Sequence, residues 1–208
     1  MLLADEFFLI TVDDRTGRPR LAPKTTGLGL AAALLGELTM FGKITVQDDR
    51  LFIVDRSPPH DALAHTTLDH LVAEPHHRLV RTWLSFLSHT AYESVAQRLF
   101  RAGHVRRETT RRLLRAQVVY VPVDGNAAAW PWARLSTRLR AGAHLDYPDV
   151  FLAGLATATG LERQLLDGGG VEAARYLADL VAALPPPLHA LVAHTHAAVG
   201  DAVLSHRT

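Results

Sequence analysis

Apolar residues recur along this chain in two rhythms. Between residues 27 and 41 they fall at Leu30, Leu34, Leu38 and Phe41, the three-to-four spacing of a helix face. Leu28 and Leu35 widen that stripe, which predicts a central helix, and Gly42 supplies its stop. The rhythm then changes. Residues 43–47 and 50–54 are rich in β-branched and aromatic types and flank Asp48-Asp49, which predicts a β-hairpin.

The remaining elements follow from similar signals. Residues 6–12 are apolar and end in the turn composition Asp13-Asp14-Arg15-Thr16-Gly17. At that length periodicity leaves helix and strand equally open. Pro58-Pro59 breaks the chain, and Asp61 then caps a helix through Leu63, Leu68 and Leu71 that Pro75 ends. A further helix buries Leu79, Val80, Trp83, Leu84 and Leu87. Thr90 and Glu93 have capping-box spacing and open a helix through Val95 and Leu99, with Gly103 as its stop. Val105 and residues 118–121 look like strands on either side of an arginine-rich stretch. A second hairpin and a short helix through Leu113 and Leu114 both remain open there.

The last third is helical over 132–140, 149–158, 171–184 and 188 to about 205, with Asp149 as an N-cap behind Pro148. Gly168-Gly169-Gly170 interrupts it. Pro185-Pro186-Pro187 predicts a boundary between a domain at 1–184 and an accessory helix at 188–208. The expected fold is mostly α: a single helical-bundle domain with amphipathic outer helices and two inserted β-hairpins.

Composition narrows the function. The chain has 208 residues, 48% of them hydrophobic and 21% charged, a globular balance large enough for a substantial core. Without cysteine there is neither a disulfide framework nor a thiolate metal site, which fits a reducing cytoplasm. No apolar run reaches the roughly 18 residues of a spanning helix; the longest, 28–41, is cut by Glu37. Asp5 and Glu6 stand where a signal peptide carries positive charge. Any membrane contact is therefore expected to be peripheral, at the inner, cytoplasmic face.

Charge is unevenly spread. Residues 98–140 hold ten arginines against Glu108 and Asp124, a local charge of +8, while residues 48–74 carry −4. A guanidinium grips phosphate oxygens through paired hydrogen bonds, so clustered arginines suit lipid head groups or nucleic acid. The candidate anion-binding residues are Lys24, Arg98, Arg101, Arg106, Arg107, Arg111, Arg112 and Arg115. Trp130 and Trp132 beside them are candidate membrane-interface residues, since an indole is half apolar and keeps a wet N–H. The competing readings are a solvated face, a winged nucleic-acid reader and an interface between copies of the chain.

Catalytic chemistry is not indicated. The twelve histidines lack the spacing of a helical zinc site: His65 and His70 are five apart, about 140° around a helix. The glycine runs lack phosphate-loop spacing, and no nucleophile elbow is present. Asp13-Asp14 and Asp48-Asp49 are turn acids. The expectation is a non-enzymatic protein without metal or cofactor.

An ordered motif series carries a resemblance. It runs from Leu3-Ala4-Asp5-Glu6-Phe7-Phe8-Leu9-Ile10 through Asp13-Asp14-Arg15-Thr16-Gly17, Gly36-Glu37-Leu38 and Phe41-Gly42-Lys43-Ile44. It continues in Trp83-Leu84, Leu99-Phe100-Arg101-Ala102-Gly103 and Val121-Pro122-Val123-Asp124. The series, spanning about 2–184, resembles the Golgi phosphoprotein 3 family. That resemblance implies a helical bundle with β-hairpins, in which the hairpin after Gly103 takes part in membrane contact or self-association. It also implies a peripheral adaptor that binds phosphatidylinositol 4-phosphate and protein partners. The positions that hold the head group in eukaryotic members fall at Ala22, Ala31, His89 and Tyr92, none of which matches the family residue.

Overall fold

The computed structural model describes residues 1–112 and 115–204, with side chains between 110 and 117 left aside. The first apolar segment, left open by periodicity, is a helix, α1 (Leu3–Thr11), buried on nearly every side. The wide stripe becomes α2 (Pro23–Met40), whose residues from Thr25 to Leu38 are all buried. Pro23 sits in its first turn, where a missing N–H costs nothing. At the other end Gly42 takes φ +68°, and the Lys43 and Gly42 N–H groups donate back to Leu38 and Thr39. This is the double bond of a glycine-terminated helix.

Strands β1 (Ile44–Gln47) and β2 (Arg50–Ile53) form the first expected hairpin, paired Ile44 to Ile53 and Gln47 to Arg50. Asp48 bends it at φ +54°. Next come α3 (Ala62–Ala73), capped by an Asp61 carboxylate 2.8 Å from the Ala64 N–H, and α4 (Val80–Ser88). The following helix, α5 (Ala91–Arg101), departs from expectation at its start: the Thr90 side chain makes no capping bond. Glu93 turns instead to the Tyr120 hydroxyl at 2.5 Å, a tertiary bond that draws it away from the helix end.

Strands β3 (Val105–Arg112) and β4 (Arg115–Pro122) pair from Val105–Pro122 to Arg112–Arg115, so the arginine-rich stretch is a hairpin. Leu113 and Leu114, the centre of the helical alternative, lie outside the described residues. Helix α6 (Gly125–Arg140) begins well before the expected Trp132, because Asp124 accepts the Asn126 and Ala127 N–H groups. Pro131 therefore lies inside the helix. Helix α7 (Tyr147–Ala158) is capped by Asp146, one turn before the expected Asp149. The chain ends in α8 (Glu162–Leu165), α9 (Gly170–Ala182) and α10 (Pro186–Leu204).

Helix α2 forms the axis, with α1, α4, α5, α7 and α10 packed around it. The approaches are close. A Cβ on Gly36 would come within 2.3 Å of the Phe151 ring on α7, and one on Gly27 within 2.4 Å of the Ser88 carbonyl at the end of α4. The proline run at 185–187 leads directly into α10. That helix lies against α2, α7, α4 and β1 and buries Leu188, Leu191, Val192, Thr195, Val199 and Ala202. The fold is thus one mostly α domain carrying two antiparallel hairpins.

Candidate functional site

Two acids at the start of α1 organise the arginines. Asp5 and Glu6 are neighbours, so on a helix they point about 100° apart and reach different partners. Asp5 meets Arg98 of α5 at 2.8 Å. The same guanidinium grips Glu37 of α2 with both terminal nitrogens, at 3.0 and 3.1 Å, and reaches Asp61 ahead of α3 at 2.9 Å. Glu37 also accepts the Ala4 N–H at 2.7 Å and is 2% exposed. Burial pushes its carboxyl above the usual carboxylate range against the pull of Arg98. Burial works against the charge on Arg98 as well, but its bonds to Glu37 and the charges of Asp5 and Asp61 outweigh that and hold it protonated.

The second acid, Glu6, pairs with Arg134 of α6 at 2.7 and 3.3 Å. Arg134 also clamps Asp149 of α7 through two nitrogens, and Arg138 adds a looser contact to Asp149 at 3.7 Å. Together the two networks bind α1 to α2, α5, α6, α7 and the start of α3. A recess of about 450 Å³ opens beside them, lined in part by Glu6, Glu37, Asp149 and Arg134, whose charges are already matched within the protein.

The candidate residues thus occupy three settings. Arg98 is turned inward, with four donor contacts to carboxylates and a side chain only 12% exposed. Lys24 in the first turn of α2, Arg101 at the end of α5, and Arg106 and Arg107 at the root of β3 are exposed. Of these, Arg106 pairs with Glu108 at 2.7 Å. Arg111, Arg112 and Arg115 belong to the paired strands, but their side chains lie outside the described residues. Trp130 is 59% exposed on α6, whereas Trp132 packs against the core beneath Arg20, whose guanidinium lies 5.6 Å from the ring.

The acids that receive Arg98 and Arg134 did not figure among the candidates. Their signal was present all the same: Asp5-Glu6 inside an apolar run, and Glu37 inside an apolar helix. A buried carboxylate requires a cationic partner.

The positions aligned with the family's head-group residues lie along α2 and at the α4–α5 junction. Ala31 is fully buried in α2 and His89 is exposed. Tyr92 packs its ring against Phe8 at 5.1 Å and Tyr120 at 6.4 Å. Burial, then the charge of Glu93 and the neighbouring Tyr120, push the Tyr92 hydroxyl up to about 12 from its usual 10. The folded protein therefore keeps this proton at a pH where the unfolded chain has lost it, and alkali favours unfolding. Stability is expected to hold below about pH 10 and to decline between about pH 10 and 12. Urea melts of the parent and Tyr92→Phe at pH 8, 10 and 11 check this, the variant showing the shallower decline. Equal slopes would remove Tyr92 from the account.

Among the described residues no helix is long and apolar enough to cross a membrane, and no group of three or more His, Asp or Glu side chains is placed to hold a metal ion. The Golgi phosphoprotein 3 (GPP34) family model matches residues 3–203, nearly the whole chain, and the protein belongs to that family. The match passes beyond 184, where the motif resemblance stopped, and takes in almost all of α10. No curated protein gives a significant match to the chain.

Proposed function

We propose that this protein is a non-enzymatic peripheral adaptor that binds anionic lipid at the inner face of a membrane. One observation carries the reading: Arg101, Arg106 and Arg107 are all exposed, at the end of α5 and the root of β3, where a hairpin of two eight-residue strands begins. The sequence adds Arg111, Arg112 and Arg115 further along it. The hairpin's main described helical contact is with α5, and at its root Val105, Tyr120 and Val121 are buried while Arg106 and Arg107 are exposed. Family membership points the same way. Trp130, exposed on α6, offers an apolar side chain to the same membrane; Trp132, held beneath Arg20, does not take part. Without guanidinium groups at Ala22, Ala31, His89 or Tyr92, attraction here is governed by surface charge more than by the identity of one head group. Protein partners would then be met at the membrane.

Each basic residue near an anionic surface contributes about 1 kcal/mol, so Arg101→Ala, Arg106→Ala and Arg107→Ala together are expected to weaken vesicle binding about a hundredfold. Co-sedimentation with neutral vesicles, vesicles rich in phosphatidylglycerol, and vesicles holding phosphatidylinositol 4-phosphate checks this at low and high salt. Binding to both anionic sets, lost at high salt, supports the reading. Salt-resistant binding to the phosphoinositide alone would replace it with a specific head-group site. No binding to any vesicle, with salt-sensitive binding to duplex DNA instead, would favour a nucleic-acid reader.

A further inference from the structure

In the sequence, residues 48–74 are the acidic stretch, with six acids against Arg50 and Arg56. The fold commits several of those acids locally. Asp55 turns to Lys43 and Ser57, Asp61 caps α3 and meets Arg98, and Asp69 lies 3.6 Å from His65. A recess of about 170 Å³ opens where β2 meets the segment between α3 and α4, and none of the six acids lines it. The ionisable residues that do are Arg56, His77 and Arg78, all exposed. Its floor includes Leu51, Leu71 and Trp83, each at most 4% exposed. A recess lined by charge of one sign over a low-dielectric floor concentrates the field and draws in counter-ions.

The two arginines are free to meet such an ion. Arg56 has no hydrogen bond or ion pair with any described residue, because its neighbour Asp55 is held by Lys43 and Ser57. Arg78 is oriented in advance. Its carbonyl accepts the Leu51 N–H at 2.7 Å, which pins this segment to β2. Its Nε makes a long contact to the Pro75 carbonyl at 3.5 Å, and its guanidinium lies 5.8 Å from the centre of the Phe52 ring. Both terminal nitrogens are left without a partner among the described residues. A planar fork held in this way needs little further ordering to bind an oxyanion.

We propose that this recess binds a phosphoryl group, as inorganic phosphate or a small phosphate monoester, between the Arg56 and Arg78 guanidiniums. One fork satisfies both oxygens of a carboxylate, whereas a tetrahedral anion presents oxygens to two forks arriving from different directions. A phosphate monoester carries about −1.5 to −2 at neutral pH, which matches two guanidiniums. At ~30 Å³ for each small group, the recess holds about six non-hydrogen atoms, the size of a phosphate with one ester carbon. The site uses none of Arg101, Arg106 and Arg107, on which the membrane reading rests.

The experiment is a proton–nitrogen NMR titration of the full chain with sodium phosphate, against sodium chloride at matched ionic strength. Trp83 reports on the recess, because its indole N–H donates to the His77 carbonyl at 2.6 Å. Phosphate should shift the Trp83 indole and Ile53 amide signals and leave the Trp130 and Trp132 indoles in place. Arg56→Gln removes a guanidinium that holds nothing else, and Arg78→Lys keeps the charge without the fork; each should weaken binding about tenfold. Acetate should bind at least tenfold more weakly than phosphate, since it engages only one fork. Glycerol 3-phosphate and vesicles holding phosphatidic acid separate the two sources of the group. Arg56→Gln weakening the first alone assigns a soluble ester, and weakening both assigns a group that a lipid can also present. The protein carrying Arg101→Ala, Arg106→Ala and Arg107→Ala should bind phosphate as the parent does, which keeps this result separate from the membrane reading. The proposal is overturned if phosphate leaves the Trp83 and Ile53 signals unmoved, if chloride moves them equally, or if acetate binds as tightly. It is overturned as well if Arg56→Gln binds phosphate like the parent.

Discussion

A chain lacking residues 188–208 is expected to lose cooperative folding. Helix α10 buries Leu188, Leu191, Val192 and Val199, each at most 9% exposed. Burying side chains of this kind contributes about 1.5–3 kcal/mol apiece, so the four together supply roughly 6–12 kcal/mol. That is of the same size as the whole stability of an ordinary domain, about 5–15 kcal/mol. Removal also strips cover from α2, the helix on which the rest of the fold is centred. Even the buried polar residue of α10 is provided for, since Thr195 donates to the Leu191 carbonyl at 2.7 Å. The test is thermal melting by near-UV circular dichroism, with the full chain as reference. A truncated protein that keeps a sharp transition and the parental near-UV spectrum would show α10 to be an appendage.

The sequence and the structure agree where a local signal is strong. The wide stripe from Leu28 to Leu38 announced a central helix, and Gly42 and Gly103 marked stops that the backbone realises at φ +68° and +75°. Agreement fails where a residue's role depends on distant chain. Asp149 and Thr90 both have the composition and position of caps, but Arg134 occupies the first and Thr90 makes no cap bond. Pro185-Pro186-Pro187 has a linker's composition, although proline is equally at home in a first helical turn. The positions that follow, Leu188, Leu191, Val192, Thr195 and Val199, carry a helix-face period that argues for burial.

Site legibility divides in the same way. Arginine type and clustering are visible in the sequence, so the exposed set at the root of β3 was accessible to it. The pairing of Arg98 was not, because its partners lie 93, 61 and 37 positions away. Sequence adjacency had grouped Arg98 with Arg101. Three residues apart, the two lie only about 60° from each other around the helix, and their separation is along the axis: Arg98 stands against Asp5 and Glu37, whereas Arg101 is the last residue of α5 and exposed.

Arg98→Ala is therefore expected to destabilise the protein by about 3–5 kcal/mol, the range for removing one partner of a buried ion pair. The cost comes from what remains: Glu37, 2% exposed, and Asp5, 6% exposed, would keep their burial and lose their counter-charge. Arg98→Lys should recover only part of this, because one ammonium cannot reproduce a fork that meets three carboxylates at once. Arg101→Ala, the exposed control one turn on, should stay within about 0.5 kcal/mol of the parent. Urea denaturation of the four proteins gives the comparison, and vesicle binding of each folded variant completes it. Loss of stability in Arg98→Ala, with binding kept in whatever fraction folds, places Arg98 in the scaffold. Parental stability with vesicle binding lost would instead make its guanidinium a head-group ligand, able to exchange internal carboxylates for a phosphate.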